Sequence, residues 1–281
     1  MTFVKAAAAC TALPLWRPAR AQATRLRIGL TAVILADQAA FLARWAAYLD
    51  ERLGSPVTFV TRDEYQALHD LLAGGQIDAL WTCGYPYIRF QGSLRLLAVP
   101  IYQGQPTYQA YLIRARGSPG VDGWSALRGK VLAYSDPLSN SGWLVAQGQM
   151  AAAGLTGRDL KRAFFAHGHR NVAEAVAAQL AQAGAIDGYV WETMRQQGMS
   201  AAQQTEVVWK SPFHGFPPIV SAAGAARLDS LQATLIGMST DEAGRALLKA
   251  LNLDGFVAGH PTMFDSIRQL ARQVPGSGIT A

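Results

Sequence analysis

The stretch Tyr134-Ser135-Asp136-Pro137-Leu138-Ser139-Asn140-Ser141-Gly142 decides how the rest of this chain is read. It is a strand end, a turn, and then a helix start crowded with hydroxyl and amide side chains. Ser139, Asn140 and Ser141 are residue types that cap helices, and a helix N-terminus presents unpaired N–H groups backed by partial positive charge. Such an end attracts anions. On local pattern alone, an ordinary capped helix after an Asp-Pro turn accounts for the same residues. The choice rests on what surrounds them.

Immediately outward, Lys130 to Tyr134 has strand character, and the helix after Ser141 runs to Gly154. Further towards the N-terminus, Leu26–Leu30 reads as a strand with Thr31 at its carboxyl end. Asp37 to Leu53 carries Phe41, Leu42, Trp45, Tyr48 and Leu49 at helical spacing. Val57–Val60 is a second strand, Tyr65 opens a helix that ends at Gly74-Gly75, and Ile77–Trp81 is a third strand leading into Thr82-Cys83-Gly84-Tyr85-Pro86-Tyr87. Leu96–Ile101 is a fourth, and Tyr108–Ile113 a longer β-like run. Beyond the opening stretch, Ala163–Phe165 leads into His167-Gly168-His169, a helix follows over 172–183, and Ile186–Val190 reads as a strand presenting Trp191 and Glu192. Val207–Pro212 and Pro217–Val220 are extended, and 241–251 and 263–273 are helical.

Strands alternating with helices at this pace predict an α/β fold with mostly parallel sheets, whose ligands gather at strand carboxyl ends. Thr31, Tyr65 and Cys83 fall at or near such ends. The βα rhythm runs twice, so two lobes are expected, the second inserted into the first: 24–108 and 213–281 as one lobe, 109–212 as the other. A cleft between lobes is a usual place for a small ligand.

Composition agrees with a globular chain. Half of the 281 residues are hydrophobic and 16% are charged, with mean hydropathy +0.10. The formal charge is +6, but Lys5, Arg17 and Arg20 lie in the first 23 residues, which hold no acid, leaving +3 for the rest. The remaining basic residues are scattered and no aromatic-rich basic motif accompanies them, which argues against a nucleic-acid partner. Lys5, the apolar run from Ala6 to Trp16 and the small-x-small pattern Ala21-Gln22-Ala23 predict an export signal over 1–23. Its removal takes Cys10 and leaves Cys83 alone, so no internal disulfide forms and the fold stands on packing.

At this point the opening stretch is informative beyond its chemistry. Asp136-Pro137-Leu138-Ser139-Asn140-Ser141-Gly142 resembles the Asp-Pro-x-Ser-Thr-Ser-Gly signature of the phosphate/phosphite/phosphonate substrate-binding proteins of ABC transporters. Other cues stand in the order of that family: Leu26–Leu30, Tyr65 before a helix, Gly75-Gln76-Ile77-Asp78-Ala79 into Tyr87, Gly168-His169, Ile186-Asp187-Gly188 and Trp209-Lys210-Ser211-Pro212. The resemblance implies a two-lobed type II periplasmic binding protein that closes on an oxyanion. It assigns ligand contacts to Tyr65, Tyr108, Ser139, Asn140, Ser141 and His169. Core packing is the plain alternative for each tyrosine, and a satisfied loop histidine for His169.

The departures matter equally. Relatives that take aminophosphonates carry an aspartate shortly after the Ser-Pro of the second crossing, where this chain has Pro217, so no selection for an amino group is expected. Glu192, beside Trp191, is a candidate for a cation or a protonated oxyanion, with a solvated helix-start glutamate as the alternative. Cys83 stands where the family more often has glycine. A thiol there suggests a soft ligand, which raises an alternative function: an oxyanion or arsenite sensor subunit of a histidine-kinase system, holding As(III) at Cys83.

The expected function is a monomeric periplasmic receptor that delivers a small oxyanion to an ABC permease, with no cofactor. No His-Glu-x-x-His, Gly-x-Ser-x-Gly, P-loop or paired-cysteine metal motif occurs, and Ser141, His169 and Glu192 match a triad by residue type only. No enzymatic activity is expected.

Overall fold

In the computed structural model, residues 25–31, 39–225 and 228–279 are described. The expected export signal and Cys10 lie outside them. The first half begins with strand β1 (Leu26–Leu30), helix α1 (Ala39–Leu53), β2 (Val57–Thr61), α2 (Tyr65–Ala73) and β3 (Ala79–Trp81). Then come α3 (Gly84–Phe90), β4 (Leu94–Ile101), β5 (Thr107–Tyr108) and β6 (Ala110–Ala115). Helix α1 forms because its apolar residues recur at helical spacing: Phe41, Trp45, Tyr48 and Leu49 are its buried face. Trp45 packs against Phe59 and Trp81, with ring centroids 4.8 and 5.9 Å away. Helix α3 covers a run that looks like a turn in sequence; Pro86 fits because it lies in the first turn, where no intrahelical N–H is needed.

The inserted half contains β7 (Val131–Tyr134), α4 (Val145–Ala152), β8 (Arg162–Phe165), α5 (His169–Ala177), β9 (Ala183–Asp187), α6 (Gly188–Gln196), α7 (Ser200–Gln203) and β10 (Thr205–Lys210). The chain then returns through β11 (His214–Gly215), β12 (Ile219–Ala222), α8 (Asp229–Gly237), α9 (Glu242–Ala250), β13 (Gly255–Ala258) and α10 (Asp265–Gln273).

Two main sheets result, with strand orders β13-β4-β12-β3-β1-β2 and β10-β6-β9-β7-β8. The parallel pairs are β1 with β2 and β3, and β7 with β8 and β9. Strands that cross or return, β6, β10, β12 and β13, pair antiparallel. The sheets are therefore mixed, with parallel βα units at their centres. Where the chain passes between them, β5 and β11 pair antiparallel, Tyr108 opposite His214, so the two crossings are zipped side by side.

One stretch departs from the sequence expectation. The strand expected over 186–190 lies at 183–187, and Gly188 begins a helix instead. The Asp187 side chain accepts from the Val190 N–H at 3.2 Å and caps that helix. Gly188 is required at the junction, because a Cβ there would stand 2.6 Å from the Gln109 carbonyl oxygen. The preceding helix shifts likewise, to 169–177 from the expected 172–183, which places His169 on its first turn. Among the described residues no helix is long and apolar enough to cross a membrane, and no group of His, Cys, Asp and Glu is arranged to hold a metal ion.

Candidate functional site

The turn after β7 is built by its own side chains. Asp136 Oδ1 accepts from the Leu138 N–H at 2.7 Å, and Ser139 Oγ accepts from the Gly142 N–H at 2.9 Å. The Leu144 N–H reaches back five residues to the Ser139 carbonyl at 3.0 Å. Residues Asn140–Leu144 thus form one wide π-type turn before α4. Gly142 lies so close to Ser135 that a Cβ would fall 1.8 Å from its Oγ. Only glycine allows the turn to fold back on the strand end.

The first sheet's elements close over this turn. Asp136 Oδ2 accepts from the backbone N–H of Tyr65, the first residue of α2, at 3.1 Å. Cys83, which precedes α3, accepts from the Asn140 N–H with its sulfur at 3.3 Å, and Asn140 Nδ2 donates to the Tyr108 hydroxyl at 2.9 Å. From the second sheet, His169 at the start of α5 accepts the Asp187 N–H at Nδ1 across 3.1 Å, and its Nε2 lies 3.4 Å from the Tyr65 hydroxyl. Since Nδ1 is an acceptor, the neutral ring carries its proton on Nε2. Tyr65, Cys83, Tyr108, Ser139, Asn140, Ser141, His169 and Asp187 are all at most 1% exposed, and no lysine or arginine is among the buried residues described.

Burial sets the electrostatics. It pushes the Tyr65 and Tyr108 hydroxyls well above their ordinary pKa, so both stay protonated donors. It pushes His169 down to about 3, keeping the imidazole neutral, and Cys83 up to about 11, keeping the thiol protonated. Asp187 is pushed up to about 7 by the same cause. Four polar atoms here are buried without a hydrogen-bond partner: Ser135 Oγ, Asn140 Oδ1, Ser141 Oγ and Asp187 Oδ2. Each such atom costs about 1–3 kcal/mol unless a polar partner meets it; three of them lie in the turn after β7 and the fourth at the end of β9. Chemically, the arrangement offers neutral O–H and N–H donors around a helix start, which suits an anion held by dipoles.

With that geometry in view, comparison with known families is decisive. Residues 29–264 match the family described as ABC transporter, phosphonate, periplasmic substrate-binding protein. The chain belongs to that family. A curated relative, the phosphate-import protein PhnD of Mycolicibacterium smegmatis, is 26% identical over 226 residues, 75% of this chain and 68% of that protein. Two solved structures share the fold. One is a binding protein component of an ABC phosphonate transporter from Pseudomonas aeruginosa (TM-score 0.81, 18% identity, 90% of this chain and 87% of that one). The other is PhnD1 from Prochlorococcus marinus in complex with methylphosphonate (TM-score 0.77, 16% identity, 89% and 97%). The two-lobed type II architecture expected from the sequence is the one found.

Of the residues singled out in the sequence of this periplasmic substrate-binding protein, Tyr65, Cys83, Tyr108, Ser139, Asn140, Ser141 and His169 are brought together. Three are not. Thr31 spends its hydroxyl on the Trp81 carbonyl at 3.0 Å. Trp191 points into its own lobe, its Nε1 donating to Thr205 Oγ1 at 2.9 Å. Glu192 is partly exposed, accepts from the Tyr111 hydroxyl at 3.3 Å, and lines a separate open surface pocket with Tyr102, Arg195, Asn252 and Asp254. Both residues follow Asp187 on α6 rather than ending a strand. Pro217 is buried, and its carbonyl accepts from Trp81 Nε1 at 2.9 Å.

Cys83 lies inside this cluster. Burial holds its thiol protonated, and its sulfur accepts a backbone hydrogen bond. Transport, not sensing, is what the family match supports. Sequence reasoning missed Asp136 and Asp187 as site residues. Both sat in the quoted motifs; the available signal for Asp187 was an Asp-Gly pair directly before Val190, Trp191 and Met194 at helical spacing, the pattern of a capped helix.

Proposed function

We propose that this protein binds one small tetrahedral oxyanion of the phosphate, phosphite or phosphonate type in the periplasm and delivers it unchanged to the membrane subunits of an ABC permease. The observation that carries the proposal is the buried set of neutral donors: Tyr65, Tyr108, Asn140, Ser141 and His169, with Ser139 shaping the turn. Such a set holds a charged oxyanion without a countercharge, so the ligand can also leave. The relatives named for phosphate import and for methylphosphonate binding point to the same ligand class.

In this account residues 24–108 and 213–281 form one body and 109–212 the other, and the two hinge where β5 and β11 pair. Residues 1–23 are the export signal, the mature chain acts as a monomer, and it carries no catalytic centre. A thermal-shift panel tests the function. Phosphate, phosphite or methylphosphonate should raise the melting temperature with a dependence following RT ln(1 + [L]/Kd). No shift with any of them at millimolar concentration would contradict it.

A further inference from the structure

Basic residues that are scattered along the sequence are collected by the fold at one corner of the inserted lobe. Arg128 and Lys130 lie just before β7, and Arg158, Lys161 and Arg162 lie just before and at the start of β8. Backbone hydrogen bonds lock the two stretches together. The Lys161 N–H donates to the Lys130 carbonyl at 2.9 Å, the Gly129 N–H donates to the Asp159 carbonyl at 2.8 Å, and Val131 stands opposite Arg162 in the ladder. Asp159 is the acid of these stretches, and its carboxylate is taken by Arg128 and by the Thr156 cap. Among the described residues no carboxylate pairs with Lys130, Arg158, Lys161 or Arg162, and the last three are exposed. Five bases and one acid give this corner +4, against +3 for all residues after the first 23, so the rest of the mature chain is close to neutral. An apolar side chain stands at the same end. Gln182 exchanges hydrogen bonds with Val131, and two residues before it Leu180 is 64% exposed, on the turn that follows α5.

Charged side chains commonly guard the unpaired edge of a sheet, and β8 is such an edge. That role needs only Lys161 and Arg162. Lys130 leads into β7, an inner strand, and Arg128 and Arg158 sit in the loops before the two strands. The patch does not serve the oxyanion either. β7 and β8 run away from it in parallel towards Ser135 and His169. Four residues at about 3.3 Å each put it about 13 Å from the turn, beyond the Debye length of about 10 Å at 0.1 M salt. Unpaired cations on a rigid sheet end, with one exposed leucine beside them, fit a surface of fixed negative charges over an apolar layer. We propose that this corner of the inserted lobe rests on anionic phospholipid headgroups and keeps the receptor at the surface of the membrane that holds its permease. Unpaired acids on a protein would satisfy the bases but leave Leu180 without a role. The inference rests on the periplasmic reading of the chain.

The test is co-sedimentation of the purified protein with vesicles of about 30% phosphatidylglycerol in phosphatidylcholine, and with phosphatidylcholine alone, at about 50 and about 300 mM salt. At the lower salt the wild type should partition onto the anionic vesicles at least about 30-fold more strongly than onto the neutral ones, since each unpaired base near such a surface contributes about fivefold. The higher salt should remove most of that difference. The triple variant Lys130→Glu, Arg158→Glu, Lys161→Glu should fall to the neutral-vesicle level with its oxyanion affinity unchanged. A control triple of equal charge, Arg44→Glu, Lys249→Glu, Arg272→Glu, reverses exposed bases on α1, α9 and α10 and should stay within about fivefold of the wild type.

Equal partition of the wild type onto anionic and neutral vesicles at low salt would overturn the proposal. So would a control triple that loses as much as the patch triple, because net charge rather than this corner would then be responsible. Binding that requires the permease in phosphatidylcholine nanodiscs and is absent from the phosphatidylglycerol vesicles would overturn it too, by assigning the patch to an acidic protein surface. The comparison of vesicles and salts needs no variant, so the test stands even if a triple variant folds poorly. Vesicle binding requires no oxyanion, so its failure is distinct from a failure of the thermal-shift panel.

Discussion

The backbone N–H of Asp187 donates to Nδ1 of His169 across 3.1 Å, and this bond fixes which ring nitrogen carries the proton. The other nitrogen, Nε2, is then a permanent donor beside the Tyr65 hydroxyl. A neutral imidazole with its proton on Nε2 should persist from pH 8 to pH 5, as read from ring-nitrogen chemical shifts. His169→Ala should weaken oxyanion binding by about 10- to 100-fold, the loss of one hydrogen bond to a charged group. Because burial lowers the folded-state pKa of His169 to about 3, its contribution to stability is present above the ordinary histidine range and is lost as pH falls from about 6.5 towards 3. A His169→Gln protein should therefore lose less stability than the wild type on acidification across that window.

Asp136 joins the two lobes through a single carboxylate, taking the N–H of Leu138 on one oxygen and that of Tyr65 on the other. Asp136→Ala removes both bonds, the one to Tyr65 being the link between the lobes, and should favour the open form. Oxyanion affinity should drop by about 3- to 30-fold, mainly through faster dissociation. Stopped-flow release kinetics and small-angle scattering of the saturated protein check this, with a more extended particle expected for the variant.

Much of this is legible in the sequence. The helical spacing of Phe41, Trp45, Tyr48 and Leu49 and the hydroxyl-rich run after Tyr134 depend on local chemistry, which sequence carries directly. Placement of Tyr65, Tyr108 and His169 in one site came from the resemblance, since a contact such as Tyr65 to His169 spans 104 residues and no local pattern encodes it. The illegible part was the boundary at Asp187. Ile186-Asp187-Gly188-Tyr189-Val190 is β-rich enough to pass for a strand, and its turn into a helix is decided by long-range packing, the approach of Gly188 to Gln109 and Tyr111. A strand over 186–190 would present Trp191 and Glu192 at its end, whereas the observed boundary puts Asp187 there.

Cys83 is fully buried, and burial pushes its thiol up to about 11. A protonated, inaccessible thiol reacts slowly. The native protein should resist a disulfide exchange reagent at pH 8, while the unfolded chain titrates fully. Cys83→Ser should keep oxyanion affinity within about threefold, a loss below ~0.7 kcal/mol, and As(III) should give no thermal shift with either protein.

The Asp187 carboxyl, raised to about 7 by burial, makes an opposite contribution to that of His169. An acid whose folded-state pKa is raised favours the fold most below its unfolded value near 3.9 and loses that contribution as pH rises through about 7. Without ligand, Asp187→Asn should be more stable than the wild type at pH 8, by roughly 1–4 kcal/mol. The difference should shrink as pH is lowered from 7 towards 4. Denaturant melts at several pH values provide the check.

Neutral donors from both lobes should meet one oxyanion, and a structure of the protein crystallised with phosphite tests that most directly. The predicted result is a single anion within hydrogen-bond distance of the Tyr65 and Tyr108 hydroxyls, Ser141 Oγ and His169 Nε2. An anion bound elsewhere, or none between the lobes at saturating phosphite, would contradict it.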